Sequence, residues 1–314
     1  MPGAHFRVVH AGPHTTVQDA GRPGFMRYGV PSSGPMDRAS FEIANAVLGN
    51  APDTPALETS LGGLSLECVS GSVTAAVVGG GFCVRIGESD LGSWTVFTIE
   101  SGQTIAIRPG PWGSWTYLAI AGRLAAQEWL GSVSTHSQSG FGGGRLLAGM
   151  DLTVADTRME NDRIGAVVCP VFARPRHVMR LVLGPQERFF PTATIEALLS
   201  EGFRLSDSYD RMGVRLTGPR LAPEGALAIP SEAVVRGSIQ VSGDGVASVL
   251  LADHQTTGGY PKIATIVSAD LDGFVQLRPR ATVAFQRVSP LEAITLTRRG
   301  MRARELYLHS LRKS

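Results

Sequence analysis

A mainly β fold is predicted by three features of the 314-residue sequence. Glycine (38 residues) and proline (19) punctuate the chain at short intervals with turn-forming positions. Between them lie short runs rich in valine, isoleucine and threonine, side chains that fit a pleated, half-buried surface. A faint internal echo, "RPGFMRYG" at 22–29 and "RMGVRLTG" at 211–218, is followed each time by a dense series of such runs. That is the layout of two related β-barrels, each with a short helix. With 43% hydrophobic residues, the chain has core enough for one large or two ordinary domains.

The elements follow in order. Residues 5–18 alternate loosely and read as an opening strand and turn. "DAGRPGFMRYGVPSSGPMD" (19–37) is a long Gly/Pro-rich loop, a length that favours function or disorder. A helical stripe then begins, with Asp37 as cap, Phe41, Ala44, Val47 and Leu48 on one face, and Gly49 or Asn50 as the stop. From Ala56 to Leu118 strand follows strand: "ALETSL", "LSLECV", "VTAAVVG", "FCVRIG", "WTVFTI", "TIAIRP" and "SWTYLAIAG". "SGFGGGRLLAG" (139–149) reads as a flexible surface loop, and polar "ADTRMENDRIG" (155–165) as a connection between domains. A strand restarts at Val178, and "PTATIEALLSEG" is a short helix with Thr192 as cap and Gly202 at its end. Strands resume to a basic C-terminal tail, "RRGMRARELYLHSLRKS", expected as a surface segment.

The formal net charge is +2 and no basic block is present, so nucleic acid is not an expected partner. Lys262 and Lys313 are the only lysines; the other basic residues are arginines, whose planar fork suits carboxylates and phosphates. Cys68, Cys83 and Cys169 are far apart, without metal or disulfide spacing, and are expected to be buried free thiols in a reducing compartment. His10 and His14 have ligand spacing for a helix, but Pro13 breaks a helix there, so no metal site is expected. The first residues lack a basic-then-apolar leader, and no apolar run approaches the ~18 residues of a membrane span. These features lead to the expectation of a soluble cytoplasmic protein.

Three stretches carry groups suited to chemistry. In "LLADHQTTGGYPKIA" (250–264) a strand runs into Asp253, His254 and then uncharged hydrogen-bonding groups. Gln255 offers a donor and an acceptor, matching a planar amide or ureido group. Thr256 and Thr257 add hydroxyls, and Gly258 and Gly259 let backbone N–H groups converge on an oxygen. Tyr260 supplies an aromatic wall, and Lys262 a positive charge for a phosphate or carboxylate. In the 19–37 loop Asp19 and Asp37 are candidate bases, Arg22 and Arg27 carboxylate clamps, and Ser32 and Ser33 precede a helix start that favours an anion. In "YDRMGVRLTG" Arg211 and Arg215 either bind an acid or pair with structural carboxylates. "SGFGGGR" is followed by no G-K-[ST] and is not a nucleotide-phosphate loop. No G-x-S-x-G elbow or S-x-x-K is present, which disfavours a stand-alone serine amidase.

Together, "TVQDAGRPGFMRYGVPSSGPMD…ANAVLGN", "ALETSLGG", "YDRMGVRLTG" and "PSEAVVRGSIQV…LLADHQTTGGYPKIATIVSADL" resemble the C-type 5-oxoprolinase family, also called allophanate hydrolase subunit 2, KipA-like or biotin-dependent carboxyltransferase. The resemblance covers nearly the whole chain. It departs at Ala233 and Arg280, where the family often has glycine, and at Ser242, where proline is common. The implied fold is two cyclophilin-like β-barrel domains, placed at 1–165 and 166–314. The implied activity is the ATP-dependent opening of 5-oxoproline to glutamate, with two partner subunits, one KipI-like (B-type) and one of the LamB/YcsF type (A-type). ATP is expected to be shared with those subunits. The chain has no Met-Lys-Met biotinylation stretch, so no biotin is expected on it. On this reading Asp19 is the candidate base and Lys262 meets developing negative charge. Arg22, Ser33, Arg211, Gln255, Thr256, Thr257, Gly258, Gly259 and Tyr260 bind the amide substrate. Two alternatives remain: a carboxyltransferase acting on urea-like substrates with biotin carried by another protein, and a KipA-type regulator binding a KipI-like kinase inhibitor.

Overall fold

Alternating burial along the opening strand sets the architecture: Ala4, Phe6 and Val8 point inward while their neighbours face solvent. The computed structural model describes residues 3–224 and 229–313, the side chain of Lys313 excepted. The chain divides into two compact units. The first comprises the N-terminus to Arg22, Ser33–Arg174 and the end of the chain from Arg304; the second comprises Pro23–Ser32 and Pro175–Ala303.

The first unit runs through β1 (Gly3–Ala11), β2 (Thr16–Gln18), α1 (Arg38–Ala46), β3 (Ala56–Thr59), β4 (Leu64–Ser70), β5 (Ser72–Val78), β6 (Gly81–Ile86) and β7 (Ser89–Gly92). It continues with β8 (Thr95–Glu100), β9 (Thr104–Trp112), β10 (Thr116–Ile120), β11 (Arg123–Leu124), β12 (Asp151–Ala155) and β13 (Gly165–Ala166). The strands form a seven-stranded sheet, β11-β12-β1-β4-β9-β6-β7, and a six-stranded sheet, β13-β8-β5-β10-β3-β2. Phe6, Leu66, Val84 and Ile107 of one sheet and Val77, Phe97 and Leu118 of the other belong to one buried core. The polar stretch 155–165 completes β12, makes a single 3₁₀ turn at Asn161–Arg163 and ends in β13, which pairs with β8.

The second unit contains β14 (Val178–Leu183), α2 (Thr192–Ser200), β15 (Phe203–Tyr209), β16 (Gly213–Thr217), β17 (Glu232–Ala233), β18 (Ser238–Val241), β19 (Ala247–Leu250), β20 (Thr257–Gly258), β21 (Lys262–Ile266), α3 (Ser268–Val275) and β22 (Thr282–Arg287). Seven of these close a barrel in the order β14-β21-β18-β19-β16-β15-β22, sealed by the parallel pairing of β22 with β14. Met179, Leu181, Leu205, Val214, Ile239, Val249, Ile263 and Phe285 are buried in it. The mainly β class read from the sequence holds.

The helices differ from expectation in three places. Helix α1 starts as predicted: Asp37 accepts the Ser40 N–H at 2.9 Å, and Phe41, Ala44, Val47 and Leu48 are buried. In α2, Thr192 is the first helical residue and Pro191 the cap, which has no side-chain oxygen to offer. Helix α3 interrupts what reads as strand. The C-terminal stretch is no loose tail but the end of α4 (Pro290–Lys313), a 24-residue helix. Tyr307, Leu308 and Leu311 of α4 pack on the core of the first unit. No helix among the described residues is long and apolar enough to cross a membrane. The three cysteines are free, but Cys83 is exposed because it faces outward on β6.

Candidate functional site

Each unit holds a cluster of buried polar groups. In the first, Leu130 and Gly131 both adopt positive φ (51° and 75°) and turn the chain between the bridged residues Trp129 and Ser132. Asp19 fastens this turn from outside. Its Oδ1 accepts the hydroxyls of Ser132 and Ser134, each at 2.6 Å, and the Gly21 N–H at 2.9 Å. Its Oδ2 accepts the Val133 N–H at 2.8 Å. Arg22, buried, donates from Nε to the Trp129 carbonyl at 3.3 Å and from Nη2 to the Ser134 carbonyl. Its guanidinium lies 5.2 Å over the Trp129 ring, and that ring stacks on Phe141 at 4.3 Å. With four protein donors on its carboxylate, Asp19 organises the loop, and work as a base requires a serine hydroxyl to give way first. Ser33 lies in this unit too. It is buried, holds a left-handed backbone (φ 52°), and its Oγ has no hydrogen-bond partner among the described residues. The nearby helix start is filled by Asp37.

The second cluster forms where β19 leaves the barrel. Arg211 turns to Asp253, donating from Nε and Nη2 to the two carboxylate oxygens at 2.9 Å each, with both side chains fully buried. Of the two roles open for Arg211 in the sequence, the structure shows the ion pair. His254 Nδ1 lies 2.6 Å from the Gln255 carbonyl oxygen. The chain then forms β20, whose Thr257 and Gly258 pair with Ala233 and Glu232 of β17. This ladder brings the "PSE" stretch alongside the "TTGG" stretch. Thr256 is half-buried and its carbonyl accepts the Val234 N–H at 3.2 Å; Thr257, Gly259 and Tyr260 are exposed.

Beneath the turn, the pairing of β18 with β21 sets Gln240 opposite Lys262. Gln255 Nε2 donates to Gln240 Oε1 at 2.9 Å. The buried Gln240 Nε2 has no acceptor among the described residues. It lies so near Gly258 that a Cβ there would stand 2.4 Å from it, so a side chain at 258 would displace the Gln240 amide. Lys262 is buried along its stem, and Nζ donates to Glu232 Oε2 at 3.3 Å. Gln186 Nε2 donates to the same oxygen at 2.8 Å, and Gln186 Oε1 accepts the Lys262 N–H at 2.7 Å. The structure thus gathers Arg211, Gln255, Thr256, Thr257, Gly258, Gly259, Tyr260 and Lys262 in the second unit, and Asp19, Arg22 and Ser33 in the first.

Gln186, Glu232 and Gln240 were not among the sequence-derived candidates. Glu232 and Gln240 lie within the quoted "PSEAVVRGSIQV"; Gln186 carries no local signal. An ammonium, a carboxylate and two amides around a glycine turn can bind a planar carbonyl–nitrogen unit and oppose negative charge developing on its oxygen.

Comparison with known proteins identifies the family. Residues 28–287 match the family model for the carboxyltransferase domain, subdomain A and B. The chain is 32% identical over 301 residues to the 5-oxoprolinase C subunit of Haemophilus influenzae, covering 95% of this chain and 94% of that one. It is 32% identical over 291 residues to the 5-oxoprolinase C subunit of Escherichia coli, covering 92% and 93%. The crystal structure of the K. lactis urea amidolyase superposes with a TM-score of 0.86 at 26% identity, over 98% of this chain but only 20% of that one. A family model that spans most of the residues, and relatives matched from end to end, place the chain in the carboxyltransferase subdomain A and B family.

Proposed function

We propose that this chain is the C-type subunit of an ATP-dependent 5-oxoprolinase, which opens the cyclic amide 5-oxoproline to glutamate in the cytoplasm. It works there with two partner subunits, one KipI-like (B-type) and one of the LamB/YcsF type (A-type). One observation carries the choice of reaction: the two 5-oxoprolinase C subunits are matched over nearly their whole lengths. The chemistry of the second cluster supports it. The lactam N–H and C=O suit the amides of Gln240 and Gln255 and the backbone of the 256–259 turn, and Lys262 opposes charge on the opening carbonyl. The cations of this cluster do not fit a triphosphate, because Lys262 is matched by Glu232 and Arg211 by Asp253. The nucleotide is therefore assigned to a site shared with the partner subunits.

A second reading has its own support. The likeness to the urea amidolyase fold, and the family description itself, favour carboxyl transfer to a urea-like acceptor from biotin carried by another protein. One reconstitution separates the two. The chain is co-expressed with candidates for the A-type and B-type partners and assayed for glutamate release from 5-oxoproline with ATP. In parallel, it is assayed for consumption of carboxybiotin with urea. ATP-dependent glutamate release that needs all three chains is expected; carboxybiotin consumption without glutamate release overturns the first reading in favour of the second.

A further inference from the structure

Lys262 is one of two lysines in the chain and the one held in the barrel cluster, where only 9% of its surface is exposed. A flexible ammonium in such a place is only as well placed as its partner. That partner, Glu232, is a poor anchor alone. It sits on a two-residue strand with 51% of its side chain exposed, and ion pairs with an exposed member contribute little.

Gln186 changes this. It is almost fully buried (3% exposed), and its one amide grips both members of the pair: Nε2 on the Glu232 carboxylate, Oε1 on the Lys262 backbone N–H. The ring closes through the contact of Lys262 Nζ with the same Glu232 oxygen. Gln186 is itself fixed by the turn after β14. There the Gly184 N–H reaches the Ile263 carbonyl at 3.0 Å, and a Cβ at 184 would stand 2.9 Å from the Lys262 carbonyl oxygen. A neutral amide in this seat adds a donor for Glu232 without adding a charge that the pair would have to absorb.

We propose that Gln186 and Glu232 are positioning residues that hold the Lys262 ammonium toward the substrate, Glu232 as its counter-ion and Gln186 as the clamp that keeps Glu232 in place. The proposal rests on the reading of Lys262 as the charge-bearing group of the site, and its test observes Lys262 itself.

With only two lysines, ¹⁵N-lysine labelling of the full chain gives two ammonium signals, and Lys262→Arg identifies the one from Lys262. Gln186→Met and Glu232→Gln are each expected to speed exchange of the Lys262 ammonium protons with water about tenfold, the change that follows loss of one charge-assisted hydrogen bond. The double variant is expected to match Glu232→Gln alone within about twofold, since Gln186 has no bond to Nζ itself and meets Lys262 directly only at its backbone N–H. A wild-type exchange rate in Gln186→Met, or a double variant that multiplies the two effects, overturns the proposal. If Gln186→Met does not fold, Gln186→Asn, an amide too short to span the pair, is read in the same way. In the reconstituted complex both single variants should lower kcat about tenfold or more with little change in KM; unchanged kcat in both overturns the proposal. A wild-type complex without turnover, but with the ammonium signature as described, sinks the proposed reaction and leaves the positioning roles standing.

Discussion

A charge taken out of water has to be matched within hydrogen-bonding reach, and this rule sorts the charged residues of the chain into anchors and tools. Arg211 and Asp253 are anchors: they meet side by side through two 2.9 Å bonds with essentially no exposure. Removing one partner leaves the other charged and buried. Asp253→Asn is expected to destabilise the second unit by about 3–5 kcal/mol, whereas the paired replacement Arg211→Met with Asp253→Leu should recover most of that loss. Denaturant unfolding of the three proteins checks this, and a loss below about 1 kcal/mol in Asp253→Asn contradicts it. Lys262 is different, since its partner Glu232 is half exposed and the pair lies partly open to water. Arg280 shows a residue-scale cost of another kind. The family resemblance expects glycine there, and the backbone does adopt φ 70°, where a side chain costs roughly 1–2 kcal/mol.

At the scale of elements, one carboxylate holds one turn. Asp19 bonds to Ser132, Val133 and Ser134 and so fixes the turn that carries Trp129 against Arg22. In Asp19→Asn the amide nitrogen stands in place of either Oδ2, where it faces the Val133 N–H donor to donor, or Oδ1, where it faces the Gly21 N–H and the two serine hydroxyls. Amide hydrogen exchange at Val133 is expected to rise about tenfold or more, read by mass spectrometry on peptides spanning 129–136; unchanged protection refutes the role. Elements with local signals were legible in the sequence. Helix α1 announced itself through Asp37 and its apolar stripe, and the Ala56–Leu118 strands through short Val/Ile/Thr-rich runs between glycine turns. Helix α4 was hidden because half of its residues are charged or polar and only its last turns touch the core of the first unit. Helix α3 was hidden because "SADLDGFV" mixes poor helix formers, Asp and Gly, with apolar residues that also suit a strand. The turn that forms one half of the second cluster was legible because "QTTGGYPK" is contiguous. The supporting half was not: Gln186 reaches Glu232 and Lys262 across 46 and 76 positions of sequence, and only barrel closure brings them together.

At the scale of the whole molecule, the two units should respond differently to alkali. Four groups that are neutral when protonated have raised pKa values, and all four lie in the first unit. Burial raises the thiols of Cys68 and Cys169 above their ordinary value of 9.0. Burial, then the nearby Glu58 and Asp37 carboxylates, hold the Tyr117 phenol well above 10.0. Burial, then Cys169, pushes Tyr307 to about 12. A folded pKa above the unfolded one means that the unfolded chain releases its proton first as pH rises. The stabilisation from these groups is therefore complete below about pH 9 and is lost progressively as pH climbs toward their folded values. In the second unit the raised groups are Arg180, paired with Asp270, and Arg280, paired with Asp207; both stay charged through this range. All four tryptophans, Trp94, Trp112, Trp115 and Trp129, also lie in the first unit, so their fluorescence follows that unit alone. Between pH 8 and pH 10.5 the melting temperature read by tryptophan fluorescence is expected to fall by several degrees, at roughly 2–4 °C per kcal/mol for a unit of this size. Tyr117→Phe should melt lower at pH 8, having lost the bonds of its hydroxyl to Glu58 and Asp37, but its melting temperature should fall less steeply with pH. A fluorescence-detected melting temperature that stays level or rises over this range would mean that these four groups are not held protonated by the fold.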